Sequence, residues 1–287
     1  MEKLYSLIDS YYDSMVATLE KMVNIDSGAD CPEGIKAVAE IVGNALKALN
    51  FDVEYLDYPG IATHVLAKRK GSAPDAKDVM IIGHMDTVFP KGTAAARPFR
   101  AENGIAYGPG VLDMKAGLVM ALYTVKALDS VDWKERPIKF IFASDEENLH
   151  MRSDAKEIFA EEAAGALAAF NFETGYMDNR FVVGRKGGGP VSIKIHGRAS
   201  HSGIAPEKGR SAVLEAAHKI VEIESQNDIM RGRLMNCGMV DGGIGENTIP
   251  DSCEVRIGIR FPNAEVRDEI FEILHRATDH NSVLDTT

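Results

Sequence analysis

Cysteine is scarce in this chain of 287 residues, and long apolar runs are missing. The three cysteines, Cys31, Cys237 and Cys253, are far apart and form neither a CxxC pair nor zinc-ribbon spacing. This spacing excludes a disulfide framework and predicts free thiols in a reducing compartment. A bilayer span needs about 18 consecutive apolar residues, and neither such a run nor a basic-then-apolar leader is found. We therefore expect a cytoplasmic protein without a membrane partner.

Positive charge is also scarce, with 32 Lys and Arg against 43 Asp and Glu and a net charge of -11. This balance argues against nucleic acid or an anionic membrane as the main partner. The GxSxG, GxxxxGK[ST] and GxGxxG signatures are absent, although "GPGVLD" begins like the last of them and ends in Asp113. Serine hydrolases, P-loop enzymes and dinucleotide-binding enzymes are therefore disfavoured.

Apolar residues are frequent enough to build a substantial core. They make up 45% of the chain against 26% charged residues, as in a globular protein of one large domain or two ordinary ones. Apolar residues at helical spacing predict helices over 4–23 and 31–50. The runs "DVMIIG", "IKFIFAS" and "ALAAFNF" are typical of strands covered on both faces. We expect an α/β fold, a mostly parallel sheet flanked by helices, with a crossover helix over 114–131.

The sequence pattern changes after about Phe181. "RKGGGP" indicates a flexible junction, and the following "VSIKIHG" and "EVRIGIRF" alternate between apolar and polar residues. Such alternation predicts an antiparallel sheet with one solvated face, and helices over 210–224 and 264–278 would cover the other face. The sequence therefore predicts two domains, over 1–185 and 186–287, the second a smaller α+β domain.

Metal-type ligands follow the predicted strands of the first domain. His84 ends "MIIGH", Asp113 precedes the crossover helix, Glu146 and Glu147 follow "KFIFAS", and Glu173 follows "LAAFNF". Because ligands bind outside the carboxyl ends of strands in open α/β sheets, these side chains should meet at one sheet edge. Carboxylates so close would repel one another unless a cation lay among them.

One imidazole and several carboxylates suit zinc, with cobalt or manganese as further candidates and a bridging carboxylate if two ions are bound. Asp86, two residues after His84, is placed to orient the imidazole. The alternative is an ordinary His-x-Asp loop pair and a solvated acidic turn at "SDEE". Only the joint placement of these residues favours the metal.

Glu146 and Glu147 are adjacent and so should have separate roles. In extended backbone neighbouring side chains point to opposite sides, which predicts that they do not bind the same ion. One can coordinate the metal while the other accepts a proton from water whose acidity the metal raises.

Six segments, in order along nearly the whole chain, resemble one family of zinc-dependent exopeptidases. That family includes glutamate carboxypeptidase, acetylornithine deacetylase, succinyl-diaminopimelate desuccinylase and aminoacylase, and the glutamate carboxypeptidase branch is the most similar. The segments are "GHMDTVFPKGTAAARPF", "AYGPGVLDMKAGLVMAL", "ASDEE", "NFETG", "GRASHSGIAPEKGRSAVLEAAHKI" and "GGIGENTIPDSCEVRIGIRFP".

The resemblance implies two zinc ions in the first domain. His84 would bind one ion, Glu173 would complete its site, Asp113 would bridge both ions, and Glu147 would bind the other. Glu146 would be the general base that activates the bridging water. The resemblance further implies that Asp86 orients His84 and that the peptide between Asp113 and Met114 is cis.

The second domain resembles the family's lid, through which members form homodimers. The resemblance implies that His201 reaches the partner subunit's site and polarises the scissile carbonyl. Asn247 and Arg260 match positions that hold the free carboxylate of the substrate, a task that suits the two-pronged guanidinium. Without the resemblance, His201 would be an ordinary loop histidine and Arg260 part of the solvated face of a strand.

These expectations define a metallohydrolase that cleaves an amide or peptide bond next to a C-terminal amino acid. The substrate would be a small peptide or an N-acyl amino acid, which leaves a deacylase as an alternative. In the family the chain returns from the lid to the first domain and brings a last histidine ligand. No such segment follows the lid here, so a second alternative is a catalytically impaired protein that binds ligands or dimerises. Where the family has small residues this chain has His150 and Met151, so this loop either has a different shape or places His150 near the metals.

Overall fold

A computed structural model of the chain describes residues 2–73, 75–178 and 180–283. The chain divides into two compact units, Met1–Arg180 and Phe181–Thr287, and each is described by itself. The sequence places the corresponding boundary a few residues later, between 185 and 186. All three cysteines are free. No helix in the described part of the chain is both long and apolar enough to cross a membrane.

The first unit is built on a five-stranded sheet with strand order β1-β2-β6-β3-β7. Four strands run in one direction and β2 runs in the other, because β3 pairs in parallel with β6 and β7 while β2 pairs antiparallel with β1 and β6. The predicted mostly parallel sheet is therefore confirmed. The strands, including a separate β4–β5 hairpin, are β1 (Asp52–Tyr58), β2 (Ala62–Arg69), β3 (Val79–His84), β4 (Arg100–Glu102), β5 (Ile105–Tyr107), β6 (Ile138–Ala143) and β7 (Ala168–Asn171).

Helices cover both faces of this sheet. On one face Met22, Val38 and Leu118 pack with Phe140 and Phe142 in the main core. On the other, Leu66, Met80 and Ile141 pack against the helix that carries Ile158 and Phe159. This double burial explains the continuous apolar runs of β3 and β6. The helices are α1 (Glu2–Ser10), α2 (Tyr12–Val23), α3 (Pro32–Ala48), α4 (Thr93–Ala96), α5 (Ala116–Ser130) and α6 (Ala155–Ala163).

The single helix predicted over 4–23 is two helices in the structure. At the junction the Tyr11 N–H donates to Ile8 O, only three residues back, at 3.0 Å, while Tyr11 O accepts from Met15 N at 2.8 Å. The tighter bond ends α1 and starts α2. Apolar spacing alone does not reveal such a break, because the residues on both sides of Tyr11 keep the same period.

The second unit has a three-stranded antiparallel sheet of order β10-β12-β8. Two helices cover one face, where Val255, Ile257 and Ile259 are buried together with Ile223 and Ile270. This confirms the predicted antiparallel sheet, but β10 was not predicted. The elements are β8 (Gly187–His196), β9 (Ser200–His201), α7 (Ala212–Glu224), β10 (Leu234–Gly242), β11 (Thr248–Ile249), β12 (Ser252–Phe261) and α8 (Ala264–Thr278).

The prediction of a flexible junction at "RKGGGP" is wrong for its glycines. Gly187 and Gly188 belong to β8 and pair with Phe261 and Arg260 of β12. A Cβ at Gly187 would lie 2.2 Å from the Phe261 ring, and one at Gly188 would lie 2.5 Å from Ile259 O. These glycines are needed for close strand packing, not for flexibility.

Candidate metal centre

The parallel strands β6, β3 and β7 bring the predicted ligands to one edge of the first unit's sheet. His84 is the last residue of β3, Glu146 and Glu147 follow β6, and Glu173 follows β7. Asp113 comes from the loop that precedes α5. Because these strands are parallel and adjacent, their carboxyl ends meet at the same place, as the sequence predicts.

Three side chains meet closely enough to hold one metal ion. His84 Nε2 lies 3.1 Å from Asp113 Oδ1 and 3.1 Å from Glu173 Oε1. One donor atom from each of the three residues lies within 4.8 Å of the other two. We call His84, Asp113 and Glu173 the carboxylate–histidine group. His84 is buried, with 2% of its side chain exposed, whereas the side chain of Asp113 is 58% exposed, so the group is accessible from solvent.

Asp86 holds the imidazole and the neighbouring loop in place. His84 Nδ1 lies 3.0 Å from the backbone O of Asp86 and 3.3 Å from its Oδ1. The same carboxylate accepts the backbone N–H of Glu146 at 3.2 Å and of Glu147 at 3.0 Å. Since Nδ1 is occupied by Asp86, Nε2 is the nitrogen that faces the carboxylates.

The charges around His84 favour a cation at this point. Burial alone would lower the pKa of His84, but hydrogen bonds and charges from Asp86 and Glu173 outweigh it and raise the pKa to about 11. Burial, followed by the charges of Asp113 and Asp86, raises the pKa of Glu147 to about 7. One imidazole with hard carboxylate oxygens, in an environment that favours positive charge, fits zinc and related divalent ions.

The backbone at Glu146 and Glu147 is not extended, so the argument from extended geometry is wrong. Glu146–Asn148 forms a 3-10 helical turn. Two successive N–H groups donate to the single carboxylate of Asp86, and the Asn148 N–H donates to Asp145 O at 3.2 Å. These bonds bend the chain.

Within the described residues, the group that could hold a metal does not include Glu147. Glu146 Oε2 is 3.8 Å from His84 Nε2, and burial raises the pKa of Glu146 above its usual value. Glu146 therefore lies beside the group. The separate roles given to Glu146 and Glu147 stay predictions.

The loop before α5 contains residues whose contribution the sequence did not reveal. The expected cis peptide between Asp113 and Met114 is present. Met114 Sδ accepts the His84 N–H at 3.0 Å, and Lys115 Nζ donates to Met22 O and Ile25 O, both at 2.9 Å. The side chain of Lys115 is buried. A lysine at the start of the mostly apolar run "MKAGLVMAL" is the one sequence signal that it is needed structurally.

His150 lies near the metal centre but outside the carboxylate–histidine group. Its Nδ1 pairs with Asp145 Oδ1 at 3.0 Å, and its ring packs at 5.7 Å, centroid to centroid, from Phe159. His150 therefore makes its contact with Asp145 inside the loop that carries Glu146, not with the carboxylate–histidine group.

The three remaining predicted residues belong to the second unit and are exposed. His201 and Asn247 lie beside one another, because His201 pairs with Thr248 and the Ser202 N–H donates to Asn247 O at 2.9 Å. Arg260 lies on the solvated face of β12, where it donates to Ile259 O. His201 Nδ1 accepts the Gly203 N–H at 3.1 Å.

Comparison with known proteins identifies the family. A sequence profile of Peptidase family M20/M25/M40 matches residues 80–282, which is most of the chain. Carboxypeptidase G2 of Pseudomonas sp. (strain RS-16) is 33% identical over 91% of this chain and 63% of its own length. A succinyl-diaminopimelate desuccinylase of Corynebacterium glutamicum is 28% identical over 93% of this chain and 71% of its own length.

Solved structures share the fold. The M20 family metallo-carboxypeptidase Sso-CP2 of Sulfolobus solfataricus has a TM-score of 0.72 at 16% identity, over 94% of this chain and 77% of that one. A tripeptidase of Staphylococcus aureus has a TM-score of 0.71 at 22% identity, over 92% of this chain and 70% of that one.

The fold is the one seen in these solved structures, and the carboxylate–histidine group is a set of donors that could hold a metal ion. The chain belongs to Peptidase family M20/M25/M40. It spans somewhat less than two thirds of the length of carboxypeptidase G2.

Proposed function

We propose that the chain is a metallohydrolase that cleaves an amide or peptide bond next to a C-terminal amino acid, in the manner of a glutamate carboxypeptidase. The observation that carries this proposal is the convergence of His84, Asp113 and Glu173 within 4.8 Å, with Glu146 beside them. Family membership and the similarity to carboxypeptidase G2 support it.

Zinc is the proposed ion. His84 and Glu173 would hold one ion, Asp113 would bridge to a second, and Glu147 would bind that second ion. When bound, zinc would act as a Lewis acid on the scissile carbonyl and raise the acidity of nearby water. Cobalt or manganese could occupy the same donors.

The protein's own residues supply proton transfer and orientation. Glu146 accepts the proton of the attacking water, and its raised pKa brings its basicity closer to the neutral pH at which a general base works well. Asp86 keeps His84 Nε2 directed at the carboxylates and holds Glu146 through its backbone N–H. Glu146 then passes the proton to the leaving amine.

The second unit is proposed to bind substrate and a second copy of the chain. Asn247 and Arg260 would hold the substrate's free carboxylate, and His201 would stabilise the developing oxyanion in a partner's site. The proposed assembly is a homodimer through this unit, and the proposed location is the cytoplasm. The side chains of Asn247, Arg260 and His201 are exposed, which suits contact with a charged ligand.

The second candidate is an N-acyl amino acid deacylase, which the similarity to a succinyl-diaminopimelate desuccinylase favours. Both reactions cleave an amide beside an amino acid carboxylate, so the same residues serve either. They differ only in the group on the other side of the bond.

The test is zinc stoichiometry after dialysis, followed by turnover of C-terminal glutamate peptides and N-acyl amino acids. Glu146→Gln should retain zinc but lose at least a hundredfold of kcat, because general-base catalysis contributes about 10² to 10⁴. Glu157→Gln, an exposed glutamate of α6, is the matched control. Undiminished turnover by Glu146→Gln would contradict the assignment of the base. Zinc binding without turnover of either substrate class would favour the impaired, ligand-binding alternative.

A further inference from the structure

A buried polar network lies on the far side of the loop that carries Glu146 and Glu147. We call residues 144–153 the glutamate loop. His64 of β2, Ser144 and Asp145 are each 2% exposed, and none of them belongs to the carboxylate–histidine group. Such complete burial of a histidine and an aspartate in contact with the glutamate loop calls for hydrogen bonds to every polar atom.

The hydrogen bonds fix one tautomer of His64. The Ser144 backbone N–H can only donate, and it lies 3.0 Å from His64 Nδ1, so Nδ1 is an acceptor without a proton. The proton is therefore on Nε2, which donates to Ser153 Oγ at 2.9 Å. Burial lowers the pKa of His64, which agrees with a neutral ring.

The same direction of donation continues into Asp145. Ser153 Oγ accepts hydrogen bonds from the His64 Nε2–H and the Ala155 N–H. Its own hydroxyl donates a hydrogen bond to Asp145 Oδ2 at 2.9 Å. The other oxygen, Asp145 Oδ1, accepts from His150 Nδ1 at 3.0 Å. Successive hydrogen bonds thus connect His64 of β2 with Ser153 at the end of the glutamate loop, and Ser153 with Asp145 near its start.

The glutamate loop needs this support because its backbone is strained. Leu149 and His150 both have positive φ, 56° and 52°, in the left-handed region that residues with a Cβ avoid. Asp145 O accepts the N–H groups of Asn148 and His150, and Asp145's side chain holds the His150 ring. Asp86 restrains the loop from one side and Asp145 from the other.

We propose that His64, as its neutral Nε2–H tautomer, is a positioning residue that holds Glu146 and Glu147 toward the carboxylate–histidine group through Ser153 and Asp145. The proposal deepens the proposed function and rests on it for the catalytic consequence. Its structural part, the restraint of the glutamate loop by His64, stands without activity.

The first experiment measures hydrogen exchange of residues 144–150 in the metal-free, full-length protein. His64→Leu removes both the acceptor and the donor. His64→Asn keeps an acceptor near the Nδ1 position, and His64→Gln keeps a donor near the Nε2 position. We expect exchange of the glutamate loop to rise at least tenfold in His64→Leu and to be partly restored in the two amide variants.

Ser153→Ala tests the same path from a half-buried loop residue, so it remains informative if His64→Leu does not fold. Thr63→Val is the matched control, because it removes only the buried hydroxyl that donates to Asp57 and keeps the backbone O of Thr63, which accepts the Ser144 hydroxyl. Ser153→Ala should loosen the glutamate loop and Thr63→Val should not. Nitrogen-15 shifts of His64 should show a protonated Nε2 and a bare Nδ1.

The second experiment titrates zinc and measures kinetics. In His64→Leu and Ser153→Ala we expect about tenfold weaker zinc binding, the lower end of the effect of removing groups that orient ligands. We also expect a lower kcat with an unchanged KM, because the network orients the base rather than the substrate.

Wild-type exchange of the glutamate loop in both variants, an equal effect of Thr63→Val, or a protonated Nδ1 would overturn the proposal. Loss of the proposed function would instead appear as a wild-type protein that binds no metal or turns over nothing, with the exchange differences intact.

Discussion

At the scale of single residues, Asp86 connects His84 of the carboxylate–histidine group with the loop that carries Glu146 and Glu147. It orients the His84 ring and accepts the backbone N–H of both Glu146 and Glu147. We predict that Asp86→Ala weakens zinc binding by about 10- to 100-fold, because the imidazole and the loop lose their common support. Competition with a chromophoric chelator measures this. Asp30→Ala, which removes a similar carboxylate acceptor of the Lys91 N–H, should bind zinc like the wild type.

His64 makes a second residue-scale prediction, on acid stability. Because burial lowers the folded pKa of His64 below 6.5, the unfolded chain takes up a proton first as the pH falls. The stability contributed by the neutral ring is present above pH 6.5 and is lost as the pH falls through the lowered folded pKa. The free energy of unfolding of His64→Asn should therefore fall less steeply than that of the wild type below pH 6.5.

Urea unfolding at a series of pH values measures this slope. His275→Asn, which replaces an exposed histidine of α8, is the control and should keep the wild-type slope. Identical slopes for His64→Asn and the wild type would show that the buried ring does not contribute to acid unfolding.

At the scale of elements, the sequence predicts the strands that have a clear local pattern of apolar residues. It does not predict elements whose shape depends on contacts with residues far away in the chain. Continuous apolar runs predict β3, β6 and β7, and with them the edge where His84 and Glu173 meet. Strand β10 was not predicted, because "LMNCGMVDG" contains two glycines and mixes polar with apolar residues. The turn at Glu146 could not be predicted either, since its shape depends on Asp86, which is far away in the sequence.

The approach of α5 to the chain after β7 supplies an element-scale prediction. A Cβ at Gly117 would lie 2.1 Å from Phe172 O, so Gly117→Ala must displace the residue before Glu173. We expect a loss of about 1–3 kcal/mol in the free energy of unfolding and weaker zinc binding. Gly258→Ala, where no atom lies within 4 Å of the new Cβ, is the control. A Gly117→Ala variant with wild-type zinc affinity would contradict the coupling of this contact to Glu173.

At the scale of the whole molecule, the chain contains separate cores in its two units. The first contains Met22, Leu118 and Phe140, and the second contains Ile223, Ile257 and Ile270. Composition and the change of pattern after Phe181 predict two such bodies. The pattern does not show that β8 begins at Gly187, because consecutive glycines are typical of flexible segments. The close packing that requires glycine here involves β12, which is far away in the sequence.

Because the two units have separate cores, we predict that a bound metal ion stabilises one unit against unfolding and not the other. Because the carboxylate–histidine group belongs to the first unit, zinc at 100 times its Kd should stabilise that unit by about 2.7 kcal/mol and leave the second unchanged. Differential scanning calorimetry of the full chain, with and without zinc, should show one transition that moves and one that does not. A single transition that shifts as a whole would mean that the two units unfold together.

The order of strands in the first sheet also has a consequence for synthesis. Among β3, β6 and β7, strand β3 is synthesised first, yet it lies between the other two in the sheet. On the ribosome, His84 can meet Glu146 once β6 has paired with one side of β3. Glu173 arrives only when β7 occupies the other side. The nascent chain therefore completes this sheet before the three side chains of the carboxylate–histidine group can come together.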